Sequence, residues 1–227
     1  MKSLVTVVER PLPKALFRRL VRRVRVVGDE RLRRTYQTTF WFDLEQPAAV
    51  TEEVIRALRP RLPRVRLGGV EWWLSRMWTH DVQVDFHRDR DEALAKRTGR
   101  ERHPRISSIL FLNRVRGGAL VVTRQLPDPA NPALAPLPLD GDLVAPRPNR
   151  FAWFDGRLTH GVLDADNELP ARRRRSRGEL RLTLVMNWWS RRPTDVLTIS
   201  ETPHYRALRV SKAGPSTHRS MPGSHPQ

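Results

Sequence analysis

The feature that most constrains this chain is a run of eight short extended segments between residues 69 and 189, separated by turn residues and loops instead of helices. They are "GVEWWLSRMW" (69–78), "DVQVDFH" (81–87), "ISSILFLN" (106–113), "GGALVVTRQ" (117–125), "DLVAPRPN" (142–149), "RFAWFDG" (150–156), "THGVLDA" (159–165) and "ELRLTLVMNWW" (179–189). Most are rich in β-branched and aromatic residues or alternate apolar with polar positions, as strands do. Strands that follow one another without crossover helices pair antiparallel, which points to a sandwich or a barrel. The proline-rich stretch "PDPANPALAPLP" (127–138) reads as a surface loop between two of them.

The N-terminal part reads differently. In "KALFRRLVRRVRV" (14–26), Leu16, Phe17, Leu20, Val21 and Val24 fall on one helical face with arginines opposite. Such a helix either packs on a core or meets an anionic surface. "TYQTTFWFDL" (35–44) reads as a strand, and Thr51 as the cap of a further helix with Glu52 and Glu53 in its first turn and Pro60 at its end. The expected organisation is therefore mainly β with N-terminal helices. Residues 1–68 pack on a β core of residues 69–192, and an extension follows at 193–227. After about residue 205 the chain loses periodicity, and its end is expected to be disordered.

Composition narrows the chemistry. There are no cysteines, which excludes disulfides, thiolate nucleophiles and Cys-held metals. Any metal must be held by histidine and carboxylate. The formal charge is +18, but only four of the 42 basic residues are lysines. So strong an arginine bias fits a GC-rich coding sequence, and a nucleic-acid partner is left open without being favoured. No apolar run is long enough for a membrane span, and the apolar start of "MKSLVTVVERPLP" is too short for a signal peptide, so the expected location is cytoplasmic.

The stretch "VDFHRDRDE" (84–92) puts a histidine among four acidic and two basic residues at the end of a strand. With a period of two, Asp85, His87 and Asp89 share a face. This is either a charged loop closing a strand or a metal site in which His87 and Asp89 reach one ion. A second histidine, His160, follows the apolar strand "RFAWF" and an Asp-Gly turn and opens a new strand, where it is either structural or a ligand. In the last strand Arg181, Thr183 and Val185 share one face. An arginine among such apolar neighbours is costly without an anion, and the sequence offers no evident fixed acidic partner. A small-molecule carboxylate would satisfy it bidentately.

Taken in order, "HRD" (87–89), "THG" (159–161) and "RLT" (181–183) resemble the iron(II)/2-oxoglutarate-dependent oxygenases, most nearly the prolyl-hydroxylase-like branch. "ISSILFLNRVRGGALVV" is similar to that branch's central hairpin, and "PRPNRFAWFDGRLTHGV" to the segment that leads to its last ligand; the resemblance spans roughly residues 70–190. It implies a double-stranded β-helix, a jelly-roll or cupin-like barrel braced by helices. It implies that His87, Asp89 and His160 hold iron(II), leaving open positions for a 2-oxo acid and O2. It implies that Arg181 pairs with the far carboxylate of 2-oxoglutarate with Thr183 beside it, and that the enzyme is a dioxygenase hydroxylating a C–H bond, with ascorbate admitted as a reductant.

The chain departs from the family pattern in two ways. The arginine run "RRRRSR" (172–177) lengthens the gap before Arg181 and makes Arg177 an alternative cosubstrate ligand. Tyrosines are nearly absent, which leaves Trp72, Trp78 and Trp153 as core residues or cavity walls. The run itself reads as a solvated hairpin loop or a weak phosphate site. The primary substrate is unknown. The prolyl-hydroxylase likeness favours a peptide, protein or amino-acid side chain. The loop after "HRD", with Lys96, Arg97 and Arg100, is the expected substrate contact and favours an acidic or phosphate-bearing substrate. The other readings are a metal- or ligand-binding β-helix without turnover, and a basic nucleic-acid-binding protein.

Overall fold

The computed structural model describes residues 3–35, 38–82, 86–126, 140–170 and 178–210. Its strands are β1 (Val5–Glu9), β2 (Phe40–Phe42), β3 (Gly69–Trp78), β4 (Ile106–Phe111), β5 (Leu120–Thr123), β6 (Gly141–Val144), β7 (Arg150–Asp155), β8 (Thr159–Val162) and β9 (Leu180–Trp189). The helices are α1 (Lys14–Val27), α2 (Asp29–Arg34), α3 (Val50–Leu58) and α4 (Glu92–Thr98). The long strands β3 and β9 pair antiparallel from Gly69↔Trp189 to Trp78↔Leu180, and a six-stranded sheet grows around them in the order β1-β7-β4-β9-β3-β2. A smaller sheet has the order β6-β5-β8. An antiparallel bridge between His87 and His160 adds a fourth, very short strand to it.

The path between these sheets identifies the architecture. The chain runs from β3 in the large sheet to Phe86–His87 in the small one, returns to β4, crosses to β5 and β6, returns to β7, crosses to β8 and returns to β9. This alternation is a double-stranded β-helix. Between the sheets Ile109, Phe111, Leu120, Val122, Val144, Ala152 and Phe154 form one packed cluster. A larger cluster covers the outer face of the six-stranded sheet, where Leu184, Met186 and Trp188 meet Leu20, Val24, Val54, Ile55 and Leu58 of the helices.

The amphipathic α1 packs on this core, with Leu20, Val24 and Val27 buried and Leu16, Phe17 and Val21 against it. The capping of α3 differs from expectation. Its N-cap is Ala49, Thr51 lies within the first turn, and the Glu52 carboxylate accepts a 2.6 Å hydrogen bond from Ala48 N. The strand expected over 35–44 shrinks to Phe40–Phe42, because Thr35 closes α2 by hydrogen bonding back to Arg31 O. Val5–Glu9 is an edge strand paired with β7, an element that sequence periodicity did not suggest. Structure also persists past residue 205: Tyr205 and Leu208 are buried in the main cluster, and Val210 N donates to Ala48 O at 3.0 Å. The proline-rich loop, the arginine run with Arg177, and the tail from residue 211 lie outside the described residues. No helix among the described residues is long and apolar enough to cross a membrane.

Candidate metal centre

His87 and His160 face each other across the small sheet as a closely bonded antiparallel pair. Each backbone N–H donates to the other residue's carbonyl, at 3.0 and 2.9 Å. Their rings are 4.5 Å apart. Asp89, two residues on, brings its carboxylate between them: Oδ1 is 3.6 Å from His87 Nε2, and Oδ2 is 3.4 Å from His160 Nε2. One ligand atom from each of the three residues lies within 4.8 Å of the others. Adjacent donors bonded to one ion at about 2.1 Å stand about 3 Å apart, so a small inward shift of these side chains would bring all three onto one ion.

Neighbouring groups fix each donor. Ser107 Oγ on β4 donates to Asp89 Oδ2 at 2.7 Å. His160 Nδ1 lies 3.2 Å from Leu158 O, so a proton on Nδ1 leaves Nε2 as the free donor atom. Burial lowers the His160 pKa, against the pull of Asp89, and so favours the neutral imidazole that binds metal. Burial alone would raise the Asp89 pKa, but His160, His87 and the Ser107 hydroxyl outweigh it and hold the carboxyl well below its usual range. Gly161 has a packing reason, since a Cβ there would stand 2.8 Å from the ring of Phe86.

The triad lies in the wall of a cavity of about 330 Å³ between the sheets. Period-two alternation supplies that wall: Glu71, Trp73, Ser75 and Met77 from β3, Ile109 from β4, and Arg181, Val185 and Asn187 from β9. Arg181 is 1% exposed. Its Nε donates to Gly118 O at 3.0 Å, and its guanidinium lies 5.2 Å from the centre of the Phe111 ring. Gly118 leaves it room, because a Cβ there would stand 3.1 Å from Arg181 Cδ. Thr183, on the same strand face, is fully buried, and its hydroxyl has no hydrogen-bond partner among the described residues. Ser107 pairs in register with Asn187, so Asp89 and Arg181 sit towards opposite ends of the β9 face.

The structure does not bring Lys96, Arg97 and Arg100 to this cavity. All three are exposed, and Arg97 pairs with Asp195 at 3.3 Å. The Asp91 side chain caps α4 by accepting from Leu94 N, so the chain turns into a helix just after Asp89, and this helix carries the cations away. The basic residues of this segment that do reach the cavity are Arg88 and Arg90, which pair with Glu101 and Glu92 at 2.9–3.1 Å. The segment is tied shut at its base: His103 Nδ1 meets Asp89 O at 2.6 Å, Asp91 N donates to Arg102 O at 2.8 Å, and the Asp91 carboxylate binds Arg102 and Thr194.

Of the tryptophans read from sequence, Trp72 is core, Trp78 is 38% exposed, and Trp153 lines a separate cavity with His103 and Arg157. The tryptophan in the wall of this cavity is Trp73. Glu71, Asn187 and Thr39 also line it and were not singled out by sequence. Their signal was present: a carboxylate and an amide inside apolar strands pose the same question as Arg181.

No protein-family model matches the sequence, and no curated protein matches it. Among solved structures, a prolyl-4-hydroxylase from Pseudomonas putida is 19% identical, with 84% of this chain and 90% of that chain covered and a TM-score of 0.49. An oxidoreductase of the 2OG-Fe(II) oxygenase family from Burkholderia pseudomallei is 14% identical, covering 86% and 88%, with a TM-score of 0.49. The alpha-ketoglutarate-dependent epimerase SnoN from nogalamycin biosynthesis is 17% identical, covering 96% and 92%, with a TM-score of 0.41. Similarity this distant adds nothing to the site, whose reading rests on its own residues: two imidazoles and a carboxylate at the wall of a cavity that a double-stranded β-helix encloses.

Proposed function

We propose that the chain is an iron(II)- and 2-oxoglutarate-dependent dioxygenase that hydroxylates a C–H bond of a peptide, protein or amino-acid side chain. The observation that carries this reading is the convergence of His87, Asp89 and His160 in one cavity with the buried Arg181. The donor set fits iron(II): two neutral nitrogens and one carboxylate leave positions open for exchangeable ligands. When bound, iron(II) supplies the redox chemistry by which O2 and 2-oxoglutarate are consumed together and a C–H bond is oxidised. The balance is R–H + 2-oxoglutarate + O2 giving R–OH, succinate and CO2.

The chain's own residues then have distinct tasks. Ser107 and the Leu158 carbonyl orient Asp89 and His160. Arg181 and the Thr183 hydroxyl bind the far carboxylate of 2-oxoglutarate, the guanidinium through a charge-assisted bidentate pair. Phe111, Ile109, Leu120, Val185 and Met77 keep water from the reacting centre. A cavity of about 330 Å³ shared with a five-carbon diacid suits a side chain better than a nucleotide.

The test is anaerobic iron(II) titration, followed by turnover with peptide and amino-acid pools. Wild-type protein should take up one iron(II), release succinate and leave one substrate heavier by one oxygen atom. His87→Ala should lose both iron and succinate. Undiminished iron stoichiometry in a variant with alanine at positions 87, 89 and 160 would overturn the assignment.

A further inference from the structure

On the oxygenase reading, one carboxyl of the cavity is left without a cation among the described residues to meet it. Asp89 is taken by the metal and Arg181 by 2-oxoglutarate. At the rim, Arg88 and Arg90 are matched by Glu92 and Glu101. Glu71 remains. Its carboxylate accepts from Trp189 Nε1 at 3.1 Å, and no basic side chain forms a salt bridge with it among the described residues. Burial raises its pKa to about 7; Thr39 and Trp189 act on it as hydrogen-bond donors, and Asp89 and Asp91 add like charge.

Beside Glu71 stands a second acceptor. Asn187 is its partner in the β3–β9 register, is 3% exposed, and lines the cavity. Its Oδ1 is buried with no hydrogen-bond partner among the described residues. A buried acceptor left unmet is costly, and a ligand donor would recover that cost. Trp73 lies two residues from Glu71 on the same strand face and offers an aromatic wall.

The position of this pair relative to the metal centre is set by the sheet. Ser107, Asn187 and Glu71 lie side by side on β4, β9 and β3, and Ser107 holds Asp89. Strands are about 4.8 Å apart, so Glu71 and Asn187 sit roughly one to two strand spacings from the point where Asp89 is held. A group anchored there would lay the carbons next to it across the metal centre.

We propose that Glu71 and Asn187 anchor the primary substrate, and that this substrate presents a cationic nitrogen group, ammonium or guanidinium, on an aliphatic stem whose C–H bond is oxidised. This rests on the oxygenase reading and reverses the acidic preference suggested by Lys96, Arg97 and Arg100, which lie away from the cavity.

The experiment is anaerobic calorimetry on the full chain loaded with iron(II) and 2-oxoglutarate. The probes are N-acetyl-arginine amide, N-acetyl-lysine amide, the neutral citrulline isostere and N-acetyl-glutamate amide. At least one cationic probe should bind ten-fold or more tighter than the citrulline and glutamate probes, and the better of the two tells guanidinium from ammonium. Glu71→Gln should remove that discrimination, and Asn187→Leu should weaken the cationic probe ten-fold with its fold intact by circular dichroism. The inference is overturned if neither cationic probe binds, if the citrulline or glutamate probe binds as tightly, or if Glu71→Gln leaves the cationic affinity unchanged. Iron(II) uptake measured beforehand separates the two readings. A wild-type chain that takes up no iron defeats the oxygenase reading and this one with it, whereas normal uptake with indiscriminate probe binding defeats this one alone.

Discussion

Strand β9 has two faces that obey different rules. Outward, Leu184, Met186 and Trp188 are fully buried under the helices, and the indole N–H of Trp188 is met by Ser108 Oγ, which in turn donates to Met186 O. Inward, Thr183 and Asn187 are as well buried but leave Oγ1 and Oδ1 without partners among the described residues. The first face is complete in itself. The second carries polar atoms whose desolvation the fold has not offset, and because Asn187 stands in the cavity wall a ligand could meet it.

Four substitutions would break or sharpen this contrast. The largest effect belongs to the outer face. Trp188→Ala should lose about 3–5 kcal/mol in chemical denaturation, from a cavity and a lost hydrogen bond. Asn187→Ala, one residue away, should lose less than about 1 kcal/mol, since no bond to its Oδ1 is broken. Equal losses would show that the inner face is structural too.

Next is Arg181→Leu, which should raise the apparent KM for 2-oxoglutarate by about 30- to 100-fold, the scale of one lost charge-assisted pair. Iron(II) affinity should stay close to wild type. An effect on iron of the same size would mean that Arg181 supports the triad and not the cosubstrate.

The last contrast sets two carboxyls against each other, one under the helices and one in the cavity. Burial raises both Glu52 and Glu71 to about 7. A carboxyl with a folded pKa above its unfolded value binds more protons when folded, so stability falls as pH rises from about 4.5 through 7. Glu52→Gln should remove roughly 2–3 kcal/mol of that fall, as measured by melts across the window. The part due to Glu71 should persist, and N-acetyl-arginine amide should diminish that part alone.

Much of the barrel was legible because β3 and β9 are long and rich in aromatic and aliphatic residues, and the triad because metal ligation admits so few residue types. Other parts were hidden for specific reasons. Val5–Glu9 forms a strand only because β7 offers an open edge, a fact about distant residues. Helix α4 has no buried residue and hence no apolar stripe to read; the Asp91 cap starts it, and Gly99 in the left-handed region ends it. Glu71 and Asn187 read as ordinary strand positions until the register sets them side by side. Lys96, Arg97 and Arg100 were drawn to the site by proximity along the chain to Asp89, and the turn into α4 undoes that proximity.

The tie at the base of residues 89–103 has an evolutionary consequence. Both ends of the segment are clamped beside the triad carboxylate, through His103 to Asp89 and through Arg102 to Asp91. The intervening residues can therefore be lengthened, shortened or exchanged at little cost in loop closure, because closing a longer loop grows only logarithmically dearer. Asp89 would not feel the exchange. The segment is a replaceable cassette: new rims can be tried over an unchanged triad, so the mouth of the cavity can drift while the residues beneath it are inherited intact.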